Sequence, residues 1–228
     1  MVRISDRLRT VAHMCEKGAV VADIGTDHGY LPIYLVQEGI ARSAIAMDLR
    51  KGPLDKAKKH ICDNCLEDRI QTKLSANEAD IITICGMGGR LIADIVTKGM
   101  NVITQNTTLI VSPQSEVGDF RHFLVSQRLV VDDEKMLKED GKYYFIIKCR
   151  KSDENVYSEY SETQYQYGWK LLENKDKTLY EYLIKEKETN DGISNSLKKD
   201  ESNPTVKLRL QQLSQKNNII MDALSYYD

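Results

Sequence analysis

A short acidic and glycine-containing segment near the N-terminus has the composition of a ligand-binding loop. It follows an apolar run and reads D-I-G-T-D-H-G from Asp23 to Gly29. An apolar run, then a glycine-containing stretch, then a new apolar segment is typical of a strand, a tight loop and a helix start. The glycines leave the loop backbone open to close approach by a ligand. The sequence therefore predicts that this loop holds a small molecule.

The second acidic residue of the loop indicates which ligand fits. A dinucleotide-binding loop reads G-x-G-x-x-G, and its second glycine lets a pyrophosphate approach the backbone. Asp27 stands at that position, where a carboxylate would repel a pyrophosphate. A ligand with a cationic end and no phosphate fits instead, and S-adenosylmethionine is such a ligand. Asp23 can attract its ammonium group or a bridging water, while Gly25 and Gly29 give room to its aminoacyl chain. The alternative is a turn-capping aspartate in a sheet protein without a ligand.

Two further groups of residues support a nucleoside ligand. Asp48 ends an apolar run about twenty residues after the loop, where an acidic side chain takes ribose hydroxyls. Methyltransferases and dehydrogenases share this feature, so it does not choose between them. A later apolar run is followed by Gly86, Met87, Gly88 and Gly89. The three glycines, which have no side chains, would leave space and exposed amides beside a methyl donor, although such turns also occur without a ligand.

Alternating strands and helices are predicted to position these residues. Four short apolar runs are predicted as strands buried on both faces, namely 19–22, 44–47, 81–85 and 109–112. Four segments have helical spacing, namely 31–38, 53–64, 89–97 and 117–128. This alternation predicts a parallel, doubly wound sheet, whose ligands lie at the carboxyl ends of the strands. Segments 130–137 and 143–149 are predicted to close the sheet as a hairpin that turns at Asp140-Gly141.

The pattern changes after residue 150, which separates a predicted domain 1–150 from a C-terminal part 151–228. A polar linker is predicted to start the second part. Helical spacing over 165–188, a polar loop over 189–203 and a second helix from Pro204 predict an antiparallel, coiled-coil-like helical hairpin. The hairpin either serves packing and dimerisation or clamps a large substrate.

Composition and charge predict a soluble cytoplasmic protein. The 228 residues are 41% hydrophobic and 29% charged, and no apolar run reaches the roughly 18 residues that a membrane span needs. The N-terminus lacks the apolar core of a signal peptide, and five cysteines suit reduced thiols. Cys62 and Cys65 have metal-knuckle spacing, but no second such pair accompanies them, so no metal is expected. A net charge of −2 means that any polyanion site must be a local patch.

Four motifs occur in one order over most of residues 1–150. They read ADIGTDHGYLPIYLV, MDLRKGPLDKA, ITICGMGGRLIADIV and EDGKYYFII. Together they resemble the bacterial tRNA (adenine(22)-N1)-methyltransferases. The resemblance implies an α/β fold, with a Rossmann-like class I methyltransferase domain followed by a C-terminal antiparallel helical hairpin. It also implies S-adenosyl-L-methionine as methyl donor and an adenine in the D-arm of tRNA as acceptor. We expect a monomer or a weak dimer.

The resemblance also assigns a donor pocket. Its residues are Asp23, Gly25, Thr26, Asp27, His28, Asp48, Leu49, Gly86, Met87, Gly88 and Gly89. The chain departs from the family pattern at Leu49, where the family has Val. It departs again after the third strand, where the family's Asn/Asp-Gly-Leu motif and longer connection are replaced by the short segment 74–80. Ser75, Ala76 and Asn77 are the residues expected near the adenine of the donor.

The predicted chemistry needs alignment more than a base, since adenine N1 already carries a lone pair. The enzyme must also stabilise the cationic product. Asp27 is the first catalytic candidate, because it can accept a hydrogen bond from N6 and favour the positive charge. His28 is the second candidate, or it only braces the loop. Tyr30 either stacks on a base or packs beneath the helix.

Contacts with tRNA are expected from the N-terminal domain. Pro113 and Gln114 follow a predicted strand on the same rim and are candidates to contact the target nucleotide. Arg7, between Arg3 and Arg9 on a predicted N-terminal helix, is a candidate phosphate contact, and the alternative is a solvated helix face. Two other functions stay open at this point. They are a small-molecule methyltransferase on the same fold and a non-catalytic RNA-binding or assembly protein.

Overall fold

The computed structural model describes residues 2–72, 78–152, 159–200 and 202–228. The chain divides into two compact units, Met1–Tyr157 and Ser158–Asp228.

The described part of the first unit contains a seven-stranded sheet. Its strands are β1 (Ala19–Ile24), β2 (Ala41–Met47), β3 (Ile70–Thr72), β4 (Ile81–Met87), β5 (Thr108–Pro113), β6 (Leu129–Glu139) and β7 (Lys142–Lys151). Their order across the sheet is β3-β2-β1-β4-β5-β7-β6. β7 pairs antiparallel with β5 and β6, and the other neighbouring strands pair parallel. The predicted α/β fold with a doubly wound sheet is therefore confirmed.

Helices precede and connect the strands of the sheet. They are α1 (Asp6–His13), α2 (Tyr30–Gln37), α3 (Lys51–Asp63), α4 (Gly89–Lys98) and α5 (Val117–Ser126). The strand order runs from β1 towards β2 and β3 on one side and from β4 towards β5 on the other. Because parallel crossovers are right-handed, α2 and α3 cover one face of the sheet and α4 covers the other. The central strands are buried on both faces as a result, and Val21, Ala46 and Ile110 have no exposed surface.

The closing hairpin turns where the sequence predicts. Asp140 and Gly141 connect β6 to β7 with φ angles of 48° and 76°, and Glu139 pairs with Lys142. Two consecutive positive φ angles match the right-handed twist of the flanking strands, which is why Asp-Gly is favoured there.

The second unit is helical. Its helices are α6 (Glu162–Tyr167), α7 (Trp169–Glu173), α8 (Lys177–Leu197) and α9 (Pro204–Ser225), with a 3-10 turn at Lys198–Asp200. Helices α8 and α9 run antiparallel, since the hydroxyl of Tyr227 after α9 donates to the carbonyl of Asp176 before α8 at 2.8 Å, and Asn190 further along α8 bonds Asn217 earlier on α9 at 3.1 Å. In the described segments, no helix is long and apolar enough to cross a membrane.

Two sequence expectations for this unit are wrong. The predicted loop 189–203 is helical as far as Leu197, because Asn190 is buried against α9 and its polar side chain is satisfied there. The predicted continuous helix over 165–188 is interrupted, because Gly168 has φ 93° and cannot continue α6. Asp176 is the N-cap of α8, because its side chain accepts a hydrogen bond from Leu179 N at 2.9 Å.

Candidate active site at the carboxyl ends of the parallel strands

The loop after β1 lies at the point where the strand order reverses, between β1 and β4. Ligands of open α/β sheets bind at this switch point, outside the carboxyl ends of the strands. The loop is tied to the neighbouring strand, because the amides of Gly25 and Thr26 both donate to the carbonyl of Met47, at 2.8 and 2.9 Å. The backbone that faces a ligand is thus held in place by β2.

Asp23 is a buried carboxylate at the end of β1. Its side chain accepts a hydrogen bond from the Thr83 hydroxyl of β4 at 2.8 Å, and the residue is 6% exposed. Burial raises the pKa of Asp23 to about 6, while hydroxyl contacts with Thr26 and Thr83 oppose the rise. A buried carboxyl with a raised pKa at such a place is typical of a functional site. A cationic ligand group would favour its charged form.

The backbone conformation at Gly25 favours glycine. Gly25 has φ 76°, and a Cβ at this position would lie 1.9 Å from Cε of Met87. The free end of a methionine therefore covers the loop, and this side chain can rotate away more cheaply than backbone can move. A loop backbone that carries no side chain at this position fits the narrow aminoacyl chain of S-adenosylmethionine.

Asp48 and Leu49, after β2, offer a polar and an apolar surface side by side. Asp48 is buried, and its Oδ1 accepts hydrogen bonds from Arg50 N at 2.7 Å and Arg50 Nε at 3.3 Å. Both of these hydrogen bonds end on Oδ1 of Asp48, so Oδ2 of Asp48 is left for a ligand. Leu49 is 98% exposed. These two residues fit the ribose and the base of a nucleoside.

Asp27 and His28 form the exposed tip of the loop. The Asp27 side chain is 81% exposed, and its Oδ1 lies 3.3 Å from Nε2 of His28. His28 adopts φ 61° and Gly29 adopts φ 72° before α2 begins at Tyr30. A positive φ at a residue with a side chain costs energy unless its surroundings hold it.

His60 of α3 supplies that support, a role that the sequence did not indicate. Its Nδ1 donates a hydrogen bond to the carbonyl of His28 at 2.9 Å, so Nδ1 carries the proton. The rings of His28, Tyr30 and His60 stack, with centroids 5.2 to 5.4 Å apart. A lone histidine on a helix far along the chain carries no motif that would have revealed this contact.

The glycine turn after β4 serves two purposes. Gly86 has φ 79°, is exposed, and lies at a break in the β4–β5 register. A Cβ at Gly88 would lie 2.9 Å from Ser115 Oγ, and one at Gly89 would lie 2.8 Å from Ser115 O. Gly88 and Gly89 therefore admit the loop after β5, while Gly86 keeps the space at the strand end open.

The residues expected to contact tRNA have different surroundings. Pro113 is buried at the end of β5, whereas Gln114 is exposed and its amide donates to Met87 O at 2.9 Å. Arg7 is half-buried, so the alternative of a solvated helix face does not describe it: its guanidinium packs over the ring of Tyr144, 5.2 Å from the centroid. Its Nη1 is buried.

The remaining assignments concern the donor's adenine and metals. Ser75, Ala76 and Asn77 lie outside the described residues. Cys62 and Cys65 are exposed free thiols. Across the described segments, no group of three or more His, Cys, Asp or Glu side chains is placed to hold a metal ion.

Comparison with known proteins first identifies the class. A family model described as a methyltransferase domain matches residues 4–147, which include the loop after β1, Asp48 and the glycine turn. The chain belongs to this family of methyltransferase domains.

Individual relatives identify the family more narrowly. The tRNA (adenine(22)-N(1))-methyltransferase of Bacillus subtilis is 38% identical, over 68% of each chain. The crystal structure of the B. subtilis m1A22 tRNA methyltransferase TrmK superimposes with a TM-score of 0.83 at 31% identity and covers 98% of this chain and 99% of that one. A Streptococcus pneumoniae putative tRNA (m1A22) methyltransferase, solved with S-adenosyl-L-methionine, has a TM-score of 0.82 at 30% identity and covers 97% and 100%. The Mycoplasma capricolum TrmK, solved with S-adenosyl-homocysteine, has a TM-score of 0.80 at 29% identity and covers 98% of both chains. The chain belongs to the tRNA (adenine(22)-N1)-methyltransferase family.

Proposed function

We propose that this protein transfers a methyl group from S-adenosyl-L-methionine to N1 of adenine 22 in the D-arm of tRNA. The observation that carries the proposal is the buried Asp23 beside the Gly25 loop, at the switch point of a fold similar over nearly its whole length to donor-bound relatives. A small-molecule methyltransferase and a non-catalytic RNA-binding protein are less well supported, because the relatives are tRNA methyltransferases.

The donor site is formed by three strand ends. Asp23 holds the ammonium group, the loop at Gly25 and Thr26 carries the aminoacyl chain, and Asp48 takes the ribose hydroxyls. Leu49 covers one face of the base. When bound, the donor supplies an electrophilic methyl group on a sulfonium sulfur.

The chain's own part in the reaction is alignment and charge stabilisation. Adenine N1 attacks with its lone pair, the bond from the methyl carbon to sulfur breaks, and the positive charge passes to the adenine. No proton has to leave N1 beforehand, so a strong base is not needed. Asp27 accepts a hydrogen bond from N6 and favours the cationic ring. His28 orients Asp27, and Tyr30 extends the aromatic surface beside the loop.

Contacts with tRNA come from local basic residues, since the overall charge is slightly negative. Arg3 and Arg9 are exposed in the first unit, and Lys198, Lys199 and Lys207 are exposed near the turn of the helical hairpin. Their role is to contact phosphates, and Gln114 contacts the target nucleotide. A cytoplasmic location and a monomeric or weakly dimeric state are also part of this proposal.

The test is methylation of a transcribed, unmodified tRNA, with the product nucleoside identified by mass spectrometry. We expect 1-methyladenosine from the wild-type transcript and none from a matched transcript with guanine at position 22. Calorimetry with S-adenosyl-homocysteine should show donor-site binding in the absence of tRNA. Methylation of both transcripts, or methylation only of small molecules, would contradict the proposal.

A further inference from the structure

One guanidinium nitrogen of the half-buried Arg7 is enclosed near the carboxyl end of β4. Arg7 lies in the first turn of α1, and its guanidinium packs on the ring of Tyr144. The Nη1 atom is closed to solvent and makes no hydrogen bond to any described residue. A buried guanidinium N–H without an acceptor is costly, so a ligand atom is the expected partner.

An exposed phosphate contact does not explain this position. A phosphate on the surface of tRNA cannot easily reach a nitrogen that water does not reach. Arg9, on the same helix, has the exposed position that suits a phosphate, and it pairs with Asp6 at 2.9 Å. The two arginines are therefore in different environments despite their proximity in sequence.

The space beside Arg7 lies over Gly86, at the carboxyl end of β4. A Cβ on Gly86 would lie 3.8 Å from Nη1 of Arg7 and 3.9 Å from Nε2 of Gln114. Two N–H donors thus flank one open position, which the positive φ of Gly86 reserves for glycine. Such a pair of donors matches an anionic group with two acceptor oxygens, and a carboxylate is the smallest common one.

Charged groups of both signs lie near this strand end. Cys85, next to Gly86, is close enough to both Asp23 and Arg7 for their charges to act on its thiol in opposite directions, while burial raises its pKa. A buried carboxyl and an enclosed guanidinium nitrogen near one strand end are complementary to a zwitterion. The aminoacyl end of the donor carries an ammonium and a carboxylate.

We propose that Arg7, assisted by Gln114, binds the carboxylate of the donor's aminoacyl end, while Asp23 binds its ammonium. This inference rests on the proposed function, because it takes S-adenosyl-L-methionine as the donor. Arg7 is then a donor-binding residue, and tRNA phosphates are left to exposed basic residues such as Arg9.

The test compares two ligands that differ only at the aminoacyl end. Calorimetry would measure S-adenosyl-homocysteine, which has the carboxylate, and 5′-methylthioadenosine, which lacks it. Arg7→Met should weaken S-adenosyl-homocysteine binding by about tenfold to a hundredfold, the loss expected for charge-assisted hydrogen bonds. It should leave 5′-methylthioadenosine binding unchanged. Arg9→Met is the matched control and should change neither, and Arg7→Lys should recover part of the loss.

Each other outcome has a definite meaning. If wild-type protein bound neither ligand, the proposed function itself would fail. If Arg7→Met bound S-adenosyl-homocysteine as tightly as wild type, the proposed function would stand and the carboxylate site would be wrong. Equal losses of affinity for both ligands would indicate that Arg7 only packs in the fold. A loss of affinity for tRNA alone would indicate that Arg7 contacts a phosphate.

Discussion

Replacing Asp23 with Asn should stabilise the fold and impair donor binding at the same time. The buried carboxyl has a pKa of about 6, against an ordinary value of 3.8. A shift of about two pH units corresponds to about 3 kcal/mol of penalty for the charged form, at about 1.4 kcal/mol per unit. Asn has nearly the same shape, still accepts a hydrogen bond from Thr83, and carries no charge to bury.

The sign of the pH dependence follows from these two pKa values. Below pH 3.8 the carboxyl is protonated in the folded and unfolded chains, so Asp23 and its Asn replacement should give similar stability. Between 3.8 and about 6 the unfolded chain ionises first, and the wild-type fold loses stability as the pH rises. Above about 6 the penalty is complete, so Asp23→Asn should be more stable than wild type by about 1–3 kcal/mol at neutral pH.

Urea unfolding of the ligand-free protein at pH 4, 5, 6 and 7.5 measures this difference. Asp27→Asn is the matched control, because its exposed carboxylate should change stability by less than about 0.5 kcal/mol. Calorimetry on Asp23→Asn should show a loss of S-adenosyl-homocysteine affinity of about tenfold or more. A variant less stable than wild type at pH 7.5, or a difference that does not vary with pH, would refute the reasoning.

Three further variants separate the roles around the loop. Asp27→Ala should lower the turnover of tRNA with little change in donor affinity, and equal losses in single-turnover and binding assays would make it a pocket-shaping residue. Asp48→Ala should weaken donor binding by about 1.5–3 kcal/mol through the lost ribose hydrogen bonds, and unchanged calorimetry would place the ribose elsewhere. His60→Phe keeps a ring in the stack but cannot donate to His28, so kcat should fall by about three- to tenfold with the donor KM unchanged. His60→Asn, which restores a donor, should recover part of that kcat, and failure to do so would argue against the hydrogen bond.

The features that depend on local sequence could be predicted well. Strand ends and glycine positions of the loop follow from apolar runs and from residues that tolerate positive φ, and Gly25, Gly86 and Gly141 all adopt it. The turn at Asp140-Gly141 is predictable for the same reason. The doubly wound topology follows from the alternation of strands and helices, because few arrangements of such elements are right-handed and unknotted.

Features that depend on contacts between distant segments could not be predicted. The polar residues after Thr189 resemble a loop in isolation, yet Asn190 is satisfied only by Asn217 on the facing helix. The support of His28 by His60 likewise requires α3 to be packed beside the loop. Side-chain type shows what a residue can do, and only the fold shows which partner it meets.

Arg7 illustrates the same limit and changes how the site should be understood. Its spacing on α1 suggests an outward-facing cation, and nothing near it in sequence indicates that Tyr144 of β7 lies against its guanidinium. Once that contact forms, Nη1 is enclosed at the edge of the open space over Gly86. Burial strengthens the electrostatic interactions of a charge and makes an unpaired one costly. The enclosed nitrogen of Arg7 and the buried carboxyl of Asp23 are therefore better matched to a ligand that brings both opposite charges than to the surface of a polyanion.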